Sequence, residues 1–255
     1  MPLSLNKVKL LRSLQQKKFR QKYDFFIAEG PKISIEALSN ESLDIVEIFA
    51  LPQWLEEHTS IVQLHRSKVT VVSDKELKKI SSLKTPNLVL ILAKIPDLTV
   101  NHSLIREGTH LFCDGIQDPG NLGTIIRIAD WFGISTVTLS EGCVDPFNSK
   151  CVQSTMGSIL RVPVKVLPND ATQYFSSFPE VYGAVMEGKD IYETDLETNA
   201  LYVIGNESKG VSDKVKDKCS RYISIPRFIN SNAESLNAAV ATGIICAEVK
   251  RQKEY

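Results

Sequence analysis

The sequence predicts an α/β protein with a mainly parallel sheet covered by helices on both faces. Short apolar runs typical of buried strands alternate with helical segments along the chain. In the second half the order strand, loop, helix repeats several times, which is the order found in parallel sheets. With 255 residues, 43% hydrophobic and 24% charged, the chain can bury a core of one large or two ordinary domains.

The N-terminal half predicts a small α/β domain. Leu5, Val8 and Leu11 recur at helical spacing with cations between them, so we expect an amphipathic helix over 5–21. Residues 73–76 read Ser-Asp-Lys-Glu, a capping box that opens a helix. The other expected elements are strands at 25–28, 45–51, 69–72 and 88–95, a helix opened by Pro31 and a short helix from Pro52.

The second half repeats strands and helices with short loops between them. Gly133 is typical of a residue just past the end of a helix. We expect strands at 110–113, 136–139, near Val164, and at 181–185, 202–204 and 222–225, with helices over 121–132, 148–158, 212–218 and 235–250. Residues 96–108 resemble a linker, so the predicted domains are 1–95 and 109–255.

Composition excludes several classes of protein. No apolar run approaches the roughly 20 residues of a membrane helix, and the first residues lack the apolar core of a signal peptide. The five cysteines include no C-x-x-C pair, which argues against a disulfide framework and against a zinc ribbon. We therefore expect a cytoplasmic protein without a metal site and without a membrane partner.

The net charge is zero, but cations are concentrated at the N-terminus. No acidic residue precedes Asp24, whereas lysines and arginines are frequent before it. Lys17, Lys18, Arg20 and Lys22 are the candidate RNA-binding residues, because a cationic helix can neutralise backbone phosphates. The alternative is a solvated helix face without a partner.

Three polar loops in the second half follow or border predicted strands. They are residues 118–123 running on to Arg127, residues 205–210, and residues 235–237. Ligands of open α/β sheets bind outside the carboxyl ends of the strands, so these loops predict a single site. Alternatively, Asn121 and Ser235 only cap their helices, and Arg127 only pairs with a carboxylate such as Glu207.

Several chemistries lack their sequence patterns. All four histidines lie at or before residue 110, and no G-x-S-x-G is present, so the loops cannot supply a Ser-His-Asp triad. Val211 stands where a phosphate loop requires lysine, and the dinucleotide pattern G-x-G-x-x-G is missing. Glycine-containing loops without these patterns favour an uncharged, adenosine-like ligand held by backbone groups.

Taken together, the loops resemble the signature motifs of the SpoU (TrmH) family of RNA ribose methyltransferases in the SPOUT superfamily. The matching segments are residues 121–129, residues 203–211, and Ile225-Pro226 followed by 234–241. The N-terminal half is similar to the family's ribosomal-protein-like substrate-binding domain. The chain departs from the pattern at Arg227, where methionine is common, and in the length of the stretch 227–234, which lacks an expected glycine.

The resemblance implies a parallel sheet with a C-terminal trefoil knot, S-adenosyl-L-methionine as cofactor, and a homodimer. It implies that Gly205, Ile225 and Leu236 bind the cofactor, and that Arg127 is the central catalytic residue. Asn121, Glu207, Ser235 and Asn237 would complete the catalytic pocket. Whether Arg127 acts as a base or stabilises developing charge stays open.

The expected substrate is a ribose 2′-hydroxyl in structured RNA. Ribosomal RNA is favoured over tRNA, because the additional basic N-terminal domain is typical of relatives that act on rRNA. The alternatives are a tRNA 2′-O-methyltransferase and a non-catalytic RNA-binding protein with a methyltransferase-like domain.

Overall fold

The computed structural model describes residues 3–99, 107–168 and 172–254. The chain divides into two compact units, and each contains its own sheet. Unit 1 comprises Met1–Pro96 and Phe147–Leu160, and unit 2 comprises Asp97–Pro146 and Arg161–Tyr255. Most of the expected linker, residues 100–106, lies outside the described residues.

Unit 1 has a four-stranded sheet in the order β1-β4-β2-β3. Strand β4 is antiparallel to both β1 and β2, whereas β3 is parallel to β2. The elements are α1 (Leu5–Ser13), α2 (Lys17–Tyr23), β1 (Phe25–Glu29), α3 (Pro31–Ser39), β2 (Ile45–Ala50), α4 (Pro52–Glu57), α5 (Thr59–Gln63), β3 (Val69–Val71), α6 (Asp74–Ile80) and β4 (Val89–Lys94).

The single helix expected over 5–21 is instead two helices, α1 and α2. Arg20 is buried and donates a hydrogen bond of 2.6 Å from Nη1 to the carbonyl oxygen of Leu14, in the break between them. This side chain satisfies a carbonyl that a continuous helix would have used, so the break is stabilised. The predicted capping box is confirmed, because Ser73 and Glu76 bond to each other's backbone at the start of α6.

Unit 2 has a six-stranded, fully parallel sheet in the order β10-β8-β9-β5-β6-β7, which confirms the predicted class. Its elements are β5 (Thr109–Asp114), α7 (Pro119–Trp131), β6 (Thr136–Ser140), β7 (Val164–Leu167), α9 (Thr172–Phe175), β8 (Val181–Asp190), β9 (Ala200–Gly205), α10 (Asp213–Lys216), β10 (Arg221–Ser224) and α11 (Ala238–Glu254). Helix α8 (Ser149–Ser154), which lies between β6 and β7 in the chain, belongs to unit 1.

The order of strands reverses between β5 and β9. From β5 the chain continues through α7 to β6 on one side, whereas β9 pairs with the other side of β5. Such a switch point opens a crevice at the carboxyl ends of the two strands. The loops that follow β5 and β9 therefore lie side by side.

Strand β8 is longer than the expected 181–185 and is irregular. It pairs with β10 at Tyr182 and Gly183 and again at Lys189 and Asp190, with residues 184–188 bulging between the two stretches. A Cβ atom at Gly188 would overlap the backbone of Ile223, so only glycine fits this approach. The bulge thereby sets the position of β10 and of Ile225 just beyond it.

Three helices of unit 2 begin at other residues than predicted, and one of them, α10, covers Asp213–Lys216 instead of 212–218. Helix α7 begins at Pro119 because Asp118 caps it, and α11 begins at Ala238 because Asn237 caps it. Helix α9 was not predicted, and α8 is shorter than the expected 148–158. Within the described ranges, none of the helices has the length and apolar character needed to span a bilayer.

Candidate active site

Hydrogen bonds join the loops at the sheet switch point. After β9, Asn206 donates from Nδ2 to the carbonyl oxygen of Gly115, which follows β5, over 2.8 Å. The carboxylate of Asp114 accepts from the backbone N–H of Ser212 over 2.7 Å, and the N–H of Gly115 donates to Oγ of Ser140 over 2.9 Å. The carboxyl ends of β5, β6 and β9 are thus held together.

The loop 206–210 is a closed turn fixed by Asn206. Backbone bonds run both ways between Asn206 and Gly210, and Oδ1 of Asn206 accepts from the N–H groups of Ser208 and Lys209 over 2.9 and 3.1 Å. At Gly205, a Cβ atom would overlap the backbone of Gly210 and Val211. Glycine at 205 is therefore required for the turn to fold back on the strand.

A chain of polar contacts connects all three predicted motifs. The side-chain amide of Asn121 donates to Oε1 of Glu207. Asn237 donates from Nδ2 to Oδ1 of Asn121 over 2.9 Å, and Oγ of Ser235 lies 3.4 Å from the carbonyl oxygen of Glu207. Residues that are far apart in sequence therefore form one polar cluster, which we call the amide cluster: Asn121, Glu207, Ser235 and Asn237.

Helix capping does not account for Asn121 or Ser235. Asp118 caps α7 and accepts from the backbone N–H of Asn121 over 2.9 Å, so the side chain of Asn121 is left to bond Glu207 and Asn237. At α11 the cap is Asn237, whose Oδ1 accepts from the N–H groups of Ala239 and Val240 over 3.0 and 3.2 Å. The interpretation of Asn121 and Ser235 as caps is wrong.

Arg127 lies two turns beyond Asn121 on the exposed face of α7. The same helix buries Leu122, Ile125 and Ile126 on its opposite face. Among the residues that the structure describes, no ion pair to Arg127 occurs, and Glu207 bonds to Asn121 instead. The alternative that Arg127 is a structural partner of Glu207 is therefore not supported, and Arg127 is exposed to solvent on the helix that also carries Asn121.

The three residues expected to bind the cofactor lie at the same end of the sheet or lead from it. Gly205 ends β9 and Ile225 directly follows β10, and both are half-buried. Leu236 is exposed and immediately precedes the capping residue Asn237. Residues 225–237 form neither helix nor strand, so their backbone groups do not pair with a neighbouring strand.

The described part of unit 2 offers no reactive thiol in this region. Burial raises the pKa of the Cys246 thiol to about 12. Burial also raises the pKa of Cys143, which donates to the carbonyl oxygen of Cys113 over 3.1 Å. Within the described residues no group of three or more His, Cys, Asp or Glu side chains could hold a metal ion. The predicted catalytic residues supply a guanidinium, amides, a hydroxyl and the carboxylate of Glu207.

The candidate RNA-binding residues are divided between surface and core. Lys17, Lys18 and Lys22 are exposed on α2, and the ammonium groups of Lys18 and Lys22 lie 4.9 and 5.2 Å from the rings of Phe19 and Tyr23. Arg20 is buried with Leu14 as a partner, so it cannot contact a phosphate from this position. The structure thus removes Arg20 from the predicted set.

Three residues that organise the site were given no role in the sequence analysis. Asp114 and Asn206 tie the loops together, and Asp118 caps α7. Asp118 precedes a proline at the first position of a helix, which is a signal of a cap. The partners of Asp114 and Asn206 lie far along the chain, and the sequence contains no local signal of them.

The protein is similar to known proteins over both units. Residues 108–247 match the SpoU rRNA Methylase family, and residues 6–91 match the MRM3-like substrate binding domain. The 23S rRNA (guanosine(2553)-2′-O)-methyltransferase RlmP of Bacillus subtilis is 31% identical, and the alignment covers 94% of this chain and 94% of that protein.

Solved structures show the same architecture. A structure described as a putative RNA methyltransferase of the TrmH family from Porphyromonas gingivalis is 34% identical with a TM-score of 0.88, over 99% of this chain and 100% of that one. An AdoMet-bound rRNA methyltransferase from Sinorhizobium meliloti is 30% identical with a TM-score of 0.87, over 99% of this chain and 97% of that one. The motifs, the sheet order and these similarities agree, and the chain belongs to the SpoU rRNA methylase family.

Proposed function

We propose that this protein transfers a methyl group from S-adenosyl-L-methionine to a ribose 2′-hydroxyl of ribosomal RNA. The amide cluster carries the proposal, because it joins the family's three motifs at the sheet switch point and ties them to α7, the helix that carries the exposed Arg127. The Bacillus subtilis relative is named as a 23S rRNA 2′-O-methyltransferase, and the Sinorhizobium meliloti relative binds AdoMet. Both observations favour the same substrate and cofactor here.

The cofactor supplies a methyl group on a positively charged sulfur, which is already activated for transfer. The residues of the chain must therefore hold the 2′-oxygen in line with that methyl group and manage the proton that the hydroxyl loses. We assign cofactor binding to Gly205, Ile225 and Leu236. The lack of a side chain at Gly205 keeps the backbone accessible, and the irregular residues 225–237 offer N–H and C=O groups.

Arg127 stabilises the negative charge that develops on the 2′-oxygen. A guanidinium cannot be deprotonated in proteins, which disfavours Arg127 as the base. Its exposed position, with no ion pair to any described residue, leaves its five N–H donors available to RNA. A preorganised cation at developing charge is among the largest catalytic effects known in enzymes.

The amide cluster ties the loops to the helix that carries Arg127. Asn121 uses its N–H donor on Glu207 and its oxygen on Asn237, so it links the second and third motifs to the helix that carries Arg127. Asn237 also fixes the first turn of α11. We therefore expect Asn121, Glu207, Ser235 and Asn237 to shape the pocket that receives the ribose.

We further propose a homodimer formed through α7 and α11. Helix α11 buries Ile245, Cys246 and Val249 against its own unit, yet Val240 is 51% exposed. On α7, Trp131 at the C-terminal end is 84% exposed. Helices α7 and α11 contact each other, and exposed apolar side chains on both favour an interface with a second copy.

The remaining assignments follow the family. We propose domains over 1–95 and 109–255, with residues 147–160 of the second grouped with unit 1. We also propose a C-terminal trefoil knot, a cytoplasmic location and a reaction without a metal ion. Unit 1 would bind RNA through the exposed Lys17, Lys18 and Lys22, and its match to a substrate-binding domain supports this role.

Methyl transfer from tritiated S-adenosylmethionine to rRNA purified from a strain lacking the gene tests the proposal. We expect label in 2′-O-methylated nucleotides of rRNA and none in tRNA. Label in tRNA alone would support the tRNA alternative. Calorimetry without measurable binding of S-adenosylmethionine would support the non-catalytic alternative.

A further inference from the structure

The loop 226–234 lies between two of the residues assigned to the cofactor. It begins directly after Ile225 and leads to Ser235 and Leu236. Its length and Arg227 are the departures from the family pattern. Residues assigned to the proposed site flank the loop at both ends, so every side chain on this loop is within a few residues of the site.

Internal hydrogen bonds order this loop. Arg227 donates from Nη1 to the carbonyl oxygen of Ala233 over 3.1 Å and so closes the loop at its base. The N–H of Ser231 donates to the carbonyl oxygen of Phe228 over 2.9 Å, and the N–H of Ala233 lies 3.3 Å from Oγ of Ser231. These contacts form a turn whose polar backbone groups are partly satisfied within the loop.

The tip of this turn is apolar and open to solvent. Phe228 is 75% exposed and Ile229 is 90% exposed. Single exposed apolar residues are common on protein surfaces, but an adjacent pair at the tip of a hydrogen-bonded turn beside a binding site indicates a contact. Phe228 and Ile229 together form the apolar tip.

We propose that the apolar tip contacts the RNA substrate and that Phe228 stacks on an unpaired base next to the methylated nucleotide. The inference rests on the proposed function. To select one nucleotide, an enzyme must read bases, and bases become readable where they are unstacked and can lie on an aromatic side chain. A phenylalanine ring can accept any base in this way, because every base has a flat face.

Arg227 adds the charge that such a contact requires. One of its five N–H donors bonds to Ala233, which leaves the others for a phosphate of the same RNA segment. An aromatic ring and a guanidinium on one loop form a combination used to bind single-stranded RNA. A second copy of the chain is the rival occupant, but the apolar face proposed for the dimer is on α7 and α11.

Replacement of Phe228 tests the proposal with the full-length protein and rRNA from the deletion strain. We expect Phe228→Ala to lower kcat/KM for rRNA by about 5- to 100-fold, the range that base stacking on an aromatic residue typically contributes. KM for rRNA should carry most of the loss, and Phe228→Trp should restore the wild-type value. Tyr192→Ala is the matched control, because Tyr192 is another exposed aromatic residue of unit 2.

Two further measurements decide between occupants. The affinity for S-adenosylmethionine by calorimetry and the mass by light scattering should not change in Phe228→Ala. Weaker cofactor binding with unchanged KM for rRNA would show that the apolar tip covers the cofactor instead of contacting RNA. A fall to the mass of a monomer would show that it contacts a second copy of the chain. Wild-type kcat/KM in Phe228→Ala would leave the tip a solvated surface.

A fluorescence experiment separates this proposal from the proposed function. The added indole of Phe228→Trp should be quenched by rRNA, because a stacked base quenches tryptophan, whereas that of Tyr192→Trp should not. If the wild-type protein binds rRNA but transfers no methyl group, the proposed function fails and the quenching still tests the tip. Equal responses of the two variants would overturn the stacking contact.

Discussion

Asn237 donates a hydrogen bond of 2.9 Å to Asn121 across 116 residues of sequence. One residue caps α11 and the other lies in the first turn of α7, so the bond joins the helix that follows the cofactor segment to the helix that carries Arg127. Asn237 uses its oxygen for the cap and its amide for Asn121. The two roles can therefore be separated by substitution.

Asn237→Asp should retain the cap and lose the contact with Asn121. A carboxylate still accepts from the N–H groups of α11 but cannot donate to Asn121, and it places a negative charge close to Glu207. We expect the free energy of unfolding to change by less than about 1 kcal/mol, whereas methyl transfer falls strongly. Asn237→Ala should lose both functions, with a loss of about 0.5–2 kcal/mol in urea unfolding. Wild-type activity in Asn237→Asp would contradict a role for the amide cluster.

Arg127→Ala should abolish methyl transfer and leave both stability and cofactor binding intact. Arg127 is exposed and has no internal ion pair in the described chain, so its loss should change the free energy of unfolding by no more than about 0.5 kcal/mol. Loss of a group that acts on developing charge typically reduces the rate by about 10² to 10³. Single-turnover assays with saturating RNA, together with calorimetry of S-adenosylmethionine, measure the two effects separately. Near wild-type turnover would show that Arg127 is not catalytic.

Reversal of the exposed α2 charges should weaken RNA binding and reduce its dependence on salt. Each phosphate that a lysine neutralises releases counterions, so Lys17→Glu, Lys18→Glu and Lys22→Glu together should flatten the slope of log K against log [salt]. Filter binding of rRNA between low and physiological salt measures this slope. The control reverses Lys75, Lys78 and Lys84, which are exposed elsewhere on unit 1.

Equal slopes for the two triple variants would make α2 an ordinary solvated face.

Arg20→Glu should behave differently from the α2 lysines. It would place an unpaired charge in a buried position, so we expect a loss of stability rather than a specific loss of RNA affinity.

Val240→Glu should convert the dimer into a monomer. Val240 is half-exposed in the single chain, so the substitution costs little within one protomer but places a buried charge in the proposed interface. Light scattering should give twice 28.4 kDa for the wild type and 28.4 kDa for the variant. Leu64→Glu, on an exposed residue of unit 1, should remain dimeric. A monomeric wild type at micromolar concentration would contradict the dimer.

The sequence predicted the parallel sheet and the meeting of the three loops, because the carboxyl ends of parallel strands lie at one edge whatever the details of packing. It failed where a single side chain decides the local structure. The apolar spacing of Leu5, Val8 and Leu11 gave no sign that the helix ends at Ser13, but the buried Arg20 takes the carbonyl of Leu14 in the break between α1 and α2. The sequence alone does not distinguish a buried cationic residue on a helix from an exposed one.

The same limit applies to contacts between distant segments. The sequence placed Asn121, Glu207 and Asn237 at one edge but not in one hydrogen-bonded cluster. The capping role that was the alternative for Asn121 belongs to Asp118. The inclusion of residues 147–160 in unit 1 depends on packing against strands that are far away along the chain. Neither the hydrogen-bonded cluster nor the inclusion of 147–160 in unit 1 leaves a periodic pattern or a local motif in the sequence.

The map of 2′-O-methylated nucleotides in total RNA, with and without the gene, tests the central claim most directly. We predict that at least one rRNA position loses its methyl group in the deletion strain, that the wild-type gene restores it, and that the gene encoding Arg127→Ala does not. Identical rRNA maps in the presence and absence of the gene would contradict the assignment of this protein as an rRNA 2′-O-methyltransferase.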